Sequence, residues 1–245
     1  MAALLRIESL SVRYRGGAVG VSDVSLEVEA GQVVALFGPN GAGKTTTARA
    51  ISGFMKTEGA SVAGVVRLED REITRAEPHF IAGLGVTIVP EASKTFMNLT
   101  VAENLLAIGK LPSGGRREVF SMVDAVFPEL VRRSSELAGR LSGGQQQMLA
   151  IARALATQPR LIVIDEMSLG LHPEMRFRLF TAVRDIARAG AGVLLIEESV
   201  AAALEIADQC YILRSGRIRG SGPAENYVGN ELVAAGYLEP GTDEI

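Results

Sequence analysis

Residues 38–45 read Gly38-Pro39-Asn40-Gly41-Ala42-Gly43-Lys44-Thr45, with Thr46 following. The pattern is GxxxxGK[ST], the form of a phosphate-binding loop. Glycines let backbone N–H groups turn inward around phosphate oxygens, at a helix N-terminus that favours negative charge. Lys44 is placed to reach β- and γ-phosphates, and Thr45 to offer its hydroxyl to Mg²⁺. Average composition yields this pattern by chance in roughly one chain in a hundred, so its context must decide. The context agrees: Val33–Phe37 is apolar throughout and reads as a strand, and a helix is expected over residues 45–54.

Working outward, three more runs are apolar almost throughout: Val86–Val89, Leu161–Ile164 and Val193–Ile196. Such runs suit strands covered on both faces, as in a parallel sheet with helices on each side. Residues 145–157, 174–188 and 200–207 read as helices between them. Residues 4–14, 24–29 and 62–68 alternate apolar and polar and read as half-buried antiparallel strands. Residues 92–140 hold helix-forming residues and no clear strand, which predicts a helical insert in an α/β core. Residues 214–217 predict a tight hairpin turn, and residues 241–245 a frayed end.

The chain has 245 residues, 47% of them hydrophobic and 22% charged, which fits one globular domain with a sizeable core. A net charge of −3 gives no reason to expect nucleic acid or an anionic lipid surface as the main partner. Cys210 is the only cysteine and is expected as a buried thiol in a reducing compartment. No run approaches the roughly 18 apolar residues of a membrane span, and no signal peptide is expected. Any work at a membrane would need another protein to hold the chain there.

Two further motifs carry chemistry. Asp165-Glu166 ends the Leu161–Ile164 strand, and ligands of open α/β sheets sit beyond the carboxyl ends of strands. Asp165 is then placed to hold Mg²⁺ and Glu166 to polarise an attacking water; the bland alternative is a pair of solvated carboxylates. Leu141-Ser142-Gly143-Gly144-Gln145 arises by chance in roughly one chain in several thousand. Ser142 can cap a helix beginning near Gln145, with its N–H groups exposed by Gly143-Gly144. That is a second phosphate grip, and one γ-phosphate needs only one. A face-to-face dimer follows, unless the segment is a plain helix cap.

The loop at 38–45, the Leu141–Gln145 signature and Asp165-Glu166, in this order, resemble an ATP-binding cassette over nearly the whole chain. The resemblance implies an α/β P-loop NTPase core, an N-terminal antiparallel β subdomain and a helical insert at about 92–140. It implies ATP and Mg²⁺ as ligands, and hydrolysis with Glu166 as the catalytic group. It also implies that Leu141–Gln145 grips ATP bound to a partner chain. Tyr14 stands where the family stacks an aromatic on adenine, or is a surface strand tyrosine. Ser168-Leu169-Gly170-Leu171 resembles the family's D-loop along the dimer seam, with Met167 where proline is usual. Glu91 occupies the place of the usual glutamine near Mg²⁺ and the membrane partner, and Glu198 the place of the switch histidine. Neither His79 nor His172 stands there; His172 is read as a seam or surface residue.

Val89-Pro90-Glu91, residues 148–155 and residues 168–171 resemble the ATPase subunits of bacterial branched-chain amino-acid importers. That implies a second ATPase subunit, different or identical, transmembrane permease subunits and, indirectly, a periplasmic substrate-binding protein. The place implied is peripheral, on the cytoplasmic face of the inner membrane. Two alternatives stay open: a non-transport cassette of repair or translation, and a largely inactive nucleotide-binding partner in a heterodimer. A small-molecule kinase would share the loop but have no use for Leu141–Gln145.

Overall fold

The computed structural model describes residues 3–91, 95–109, 111–168 and 170–228. Leu169 of the seam loop, residues 92–94 and Lys110 of the helical segment, and the frayed end expected at 241–245 lie outside them.

Two sheets form the frame. The first orders β2 (Val19–Val28), β1 (Leu5–Arg13), β4 (Ser61–Leu68) and β5 (Arg71–Glu72), all antiparallel neighbours. Alternation of buried and exposed positions in β1 and β2 puts one face on the core, as period-2 patterning requires. The β2 strand begins at Val19, before the expected start at residue 24. A bulge around Ser9, at φ 48°, interrupts both pairings of β1.

The second sheet orders β10 (Arg217–Pro223), β9 (Gln209–Arg214), β3 (Val33–Phe37), β8 (Gly192–Glu197), β7 (Leu161–Asp165) and β6 (Val86–Val89). From β9 to β6 all neighbours are parallel; only β10 returns antiparallel, through the turn at Ser215-Gly216. Every residue of β3, β7 and β8 is buried. Alternate residues feed opposite cores. Val33, Ile162, Ile164, Val193 and Leu195 face α7 (Gly143–Ala156) and α8 (Pro173–Arg188). Val34, Leu36, Leu161, Val163, Leu194 and Ile196 face α1 (Lys44–Ile51) and the first sheet. The continuous apolar runs are the signature of this double burial.

The helix expected over residues 45–54 is two. It breaks at Ser52-Gly53 and resumes as α2 (Phe54–Thr57). Gly53 sits at φ 80° with no room for a side chain: a Cβ would lie 2.6 Å from the Ala76 carbonyl oxygen. A short α3 (Pro78–Gly83) precedes β6, and α9 (Val200–Leu204) ends three residues before its expected end.

Between β6 and α7 lie α4 (Val101–Leu106), α5 (Gly115–Val126), α6 (Pro128–Arg132) and a 3₁₀ turn at Ala138–Arg140. Thr100 and Glu103 form a reciprocal capping box on α4, the arrangement that satisfies two orphan amides at once. Val101, Leu105, Val119, Val123, Phe127 and Leu130 join the same core as Met148 and Leu149 of α7. Hence α7 is shared between this helical segment and the sheet.

Asn104 organises the approach to α4. Fully buried, it accepts the Phe96 amide at 2.8 Å and donates to the carbonyls of Phe96, Leu99 and Thr100 at 2.9, 3.2 and 3.0 Å. Removing it takes the acceptor from the Phe96 amide, while the three carbonyls keep backbone donors from Leu99, Ala138 and Asn104; an unsatisfied group of this kind costs about 1–3 kcal/mol. Asn104→Ala is therefore expected to destabilise the protein by about 1–3 kcal/mol, lowering Tm by roughly 2–12 °C for a chain of this size. A thermal melt within 2 °C of wild type would contradict this account.

Candidate functional site

Because the strands run parallel, β3, β6, β7 and β8 all deliver their carboxyl ends to one edge. There they surround a cleft of about 300 Å³ lined by Tyr14, Ala18, Val19, Gly20, Asn40, Gly41, Gly43, Lys44, Thr45, Thr46, Glu91 and Glu166. Most of the loop and aromatic residues expected from sequence meet here.

The loop after β3 is held from behind. A side chain at Gly38 would collide with the Leu213 carbonyl, and the Ala42 carbonyl accepts the Gly216 amide at 2.9 Å. The hairpin turn of β9 and β10 therefore braces the loop. Gly41 and Gly43 take φ 78° and 107°, and a Cβ at Gly43 would lie 2.5 Å from the Gly20 carbonyl oxygen. Only glycine fits that combination. Pro39 and Ala42 are structural: the Ala42 amide donates to the Pro39 carbonyl and Ala42 is buried. Lys44, 4% exposed, donates to the Gly38 carbonyl at 2.9 Å and the Pro39 carbonyl at 3.4 Å. Its Nζ also lies 3.4 Å from Glu166 Oε1, a nearly buried ion pair.

Opposite the lysine stand the carboxylates. Asp165 is 3% exposed, and its Oδ1 is buried without a hydrogen-bond partner. Burial pushes its carboxyl above the usual range, and a hydrogen bond from Thr45 opposes this. Glu166 and Glu91 push it further up, while Lys44 pulls it down. Asp165 does not itself line the cleft, but it is hydrogen-bonded to Thr45, which does; a buried carboxylate beside a threonine hydroxyl suits a hard cation. Among the described residues no group of three or more His, Cys, Asp or Glu could hold a metal. A cation at Thr45 and Asp165 must therefore complete its shell with oxygens of water or of a phosphate ligand, as Mg²⁺ does. The residues fit that ion.

Glu166 takes φ 48°, a left-handed backbone that costs a non-glycine residue about 1–2 kcal/mol. Such outliers persist where surrounding structure over-determines them, commonly at functional sites. Its amide donates to the Ile196 carbonyl at 2.9 Å, tying the end of β7 to β8.

Tyr14 closes the far end of the cleft. Its hydroxyl and that of Thr46 lie 2.9 Å apart. A Cβ at Gly20 would lie 2.7 Å from Thr46 Cγ2 and 2.9 Å from Tyr14 Cε2, so Gly20 is what lets the ring lie flat there. Sequence reasoning missed Ala18, Val19 and Gly20; the small residues after Tyr14 were the available signal.

Leu141–Gln145 lies elsewhere: none of these residues lines the cleft. Ser142 caps α7, its Oγ accepting the Gln145 amide at 3.4 Å while its own amide donates to Gln145 Oε1 at 3.0 Å. Leu141 is buried in the core beneath. Gly144 is explained by packing, since a Cβ would meet Met175 Cγ at 2.6 Å, but a Cβ at Gly143 would meet nothing. Among the described residues nothing stands where a side chain at 143 would go.

At the end of β8 the sequence concealed a distinction. Glu198 is exposed and accepts a hydrogen bond from Asn40 Nδ2 at 3.2 Å. Glu197, 2% exposed, points the other way and accepts the amides of Met167 and Ser168 at 3.2 and 3.1 Å and the Ser168 hydroxyl at 2.7 Å. Sequence reasoning singled out Glu198 and passed over Glu197. A carboxylate in a strand otherwise wholly apolar was the signal. His79 and His172 are both exposed; His172 precedes α8, where its carbonyl accepts the Arg176 amide. Cys210 is buried, and burial pushes its thiol up to about 12, which leaves it inert.

Comparison with known proteins fits this geometry. Residues 21–168 match the model of the ABC transporter family. The chain is 36% identical to BraG, a high-affinity branched-chain amino acid transport ATP-binding protein of Pseudomonas aeruginosa, over 96% of this chain and 99% of that one. It is 34% identical to LptB, a lipopolysaccharide export system ATP-binding protein of Acidithiobacillus ferridurans, over 97% and 98%. The ADP conformation of MJ1267, an ATP-binding cassette of an ABC transporter, superposes with a TM-score of 0.83 at 28% identity, covering 98% of this chain and all of that one. Loop, cleft, capped signature helix and these likenesses agree: the chain belongs to the ABC transporter family, as an ATP-binding cassette ATPase.

Proposed function

We propose that the chain binds ATP in the Lys44 cleft, hydrolyses it with Glu166, and powers a membrane transporter, an importer of branched-chain or related amino acids. The observation that carries the dimeric part is the separation of the two grips. Gly143 has open space where its own fold asks for none, and the signature lies outside its own chain's cleft. A second ATPase subunit, different or identical, would bring its Leu141–Gln145 over this cleft and receive the same in return. Tyr14 would stack on adenine, which contributes about 1–3 kcal/mol per base in comparable systems.

The chemistry assigned to the chain's residues is as follows. Incoming phosphates compete with Gly38, Pro39 and Glu166 for the Lys44 ammonium, and so release the Glu166 carboxylate toward a water beyond the γ-phosphate. Thr45 and Asp165 would hold Mg²⁺, which neutralises phosphate charge. Loop amides and the α1 N-terminus supply the remaining fixed positive potential.

The partner on the membrane side is assigned to a permease. Among the described residues no helix is long and apolar enough to cross a membrane. Phe96, Met97 and Leu137 are exposed on the segment after Glu91, where the Met97 carbonyl pairs with the Gly139 amide. A substrate-binding protein would act further out, through the permease. The likeness to LptB favours a second reading, an exporter of lipid-linked material. Isolating the native complex through this chain separates the two. The expected result is cross-links from residues 91–140 to a permease, and leucine uptake that Lys44→Ala abolishes. Contacts on the opposite face, or intact uptake, would count against the assignment.

Turnover on purified protein tests the site. Lys44→Ala is expected to lose nearly all ATP binding, whereas Glu166→Gln keeps ATP bound and slows hydrolysis, trapping a dimer. Undiminished affinity in the first variant, or wild-type turnover in the second, would refute the corresponding role.

Glu198 sets a further expectation. A histidine at its place would donate to the γ-phosphate; an ionised glutamate offers only acceptors. Two like charges about 4 Å apart repel by roughly 1 kcal/mol in water and roughly 4 kcal/mol at an effective dielectric near 20. Glu198 is exposed and has Asn40 as an alternative partner, so the lower figure applies. Glu198→His is expected to raise this site's turnover by about five-fold. Equal rates in wild type and variant would show that the glutamate does not hinder hydrolysis.

A further inference from the structure

Glu197 is the last residue of β8, in register with Phe37 at the end of β3. It is almost wholly buried, and donors surround it: the Met167 amide, the Ser168 amide and the Ser168 hydroxyl. Burial pushes its carboxyl up, these three hydrogen bonds oppose this, and Glu166 pushes it up further. Among the described residues no ion pair reaches it. Two consecutive amides after a left-handed residue form a concave anion receptor, and here the anion is a side chain of the neighbouring strand.

The place of this receptor in the chain is what matters. Met167 and Ser168 directly follow Glu166, whose left-handed backbone requires support from its surroundings. One support is the Glu166 amide on the Ile196 carbonyl. The Lys44 ammonium holds the Glu166 side chain from the front, and three bonds to Glu197 hold the two residues that follow it. The Ile196 and Glu197 bonds together fasten residues 166–168 to the last two residues of β8, so the direction of the Glu166 side chain is set from behind as well. The remainder of β8, Gly192–Ile196, is apolar and fully buried; a strand that needed only to fill the core would continue so. A buried, unpaired carboxylate is costly and is retained where its acceptor oxygens have work to do.

We propose that Glu197 is a positioning residue for ATP hydrolysis, holding the Met167 and Ser168 amides so that the Glu166 carboxylate stays at the phosphate end of the cleft beside Lys44. The proposal rests on the assignment of Glu166 to hydrolysis. Glu197 does not line the cleft and acts through the loop it anchors. Glutamine can reproduce the geometry: its Oε1 accepts both amides and its Nε2 donates to the Ser168 oxygen. Alanine cannot.

The test compares full-length wild type with Glu197→Ala, Glu197→Gln, Ser168→Ala and Glu166→Gln. ATP turnover with Mg²⁺ is measured across ATP concentrations, and amide hydrogen exchange is followed at Met167 and Ser168. Glu197→Ala is expected to lower kcat by about a hundred-fold, the scale of a 1 Å misplacement of a reacting group, with KM for ATP within two-fold. Glu197→Gln is expected to recover turnover to within a few-fold of wild type. Ser168→Ala, which removes one bond of three, should cost a few-fold in kcat and serves if Glu197→Ala does not fold. Met167 and Ser168 amides should exchange at least ten-fold faster in Glu197→Ala and keep their protection in Glu197→Gln. Unchanged exchange, or wild-type kcat in Glu197→Ala and Ser168→Ala while Glu166→Gln is slowed, would overturn the proposal. Equal losses in the alanine and glutamine variants would also overturn it, because the hydrogen bonds would then not be the cause. Wild-type turnover in Glu166→Gln would instead remove the assignment of Glu166, and the exchange data would still judge the anchor.

Discussion

The parallel pairing of β3 with β8, and of β8 with β7, is the constraint on which the site depends. Its register places Phe37 against Glu197 and Asp165 against Ile196. A slip of one residue would move every side chain of a strand to the opposite face. That would send Val34 and Leu36 away from α1 and turn Asp165 from Thr45. Because both faces of these strands are buried in separate apolar cores, such a slip is strongly opposed. The geometry of the loop, the carboxylates and the glutamate anchor is thus inherited from hydrophobic packing well below the cleft.

Much of this could be read from the residues. Val33–Phe37 and Val86–Val89 are strands at their expected bounds, because a run of four or five apolar residues bounded by turns has few other solutions in an α/β chain. Ser142 caps α7 as its side chain and the following glycines suggest. Three things were not legible. The break at Gly53 depends on the Ala76 carbonyl, which is distant in sequence. The early start of β2 brings Gly20 beneath Tyr14, a contact that needs the antiparallel pairing before it can be seen. The opposite directions of Glu197 and Glu198 follow from strand alternation at the last residue of β8, where the difference between buried and exposed is settled by the Met167–Ser168 loop rather than by any local pattern.

Charge balance at the cleft adds a requirement that fold alone does not. Glu91 and Glu166 line the cleft, Asp165 lies close enough to feel both, Glu198 reaches Asn40 of the lining, and Lys44 is the only lysine or arginine lining the cleft among the described residues. A polyphosphate brought to that place faces like charge on several sides, and each such contact costs about 1 kcal/mol even at the dielectric of water. Loop amides and a helix N-terminus offset part of this. The unpartnered Asp165 oxygen and the Thr45 hydroxyl would provide for the rest under the proposed function, as ligands for a divalent cation. On that reading, Glu91 in the cleft lining and Glu198 beside Asn40 raise the dependence of this cleft on such a cation. They would also raise the value of a second positive helix end brought by another subunit in the proposed dimer.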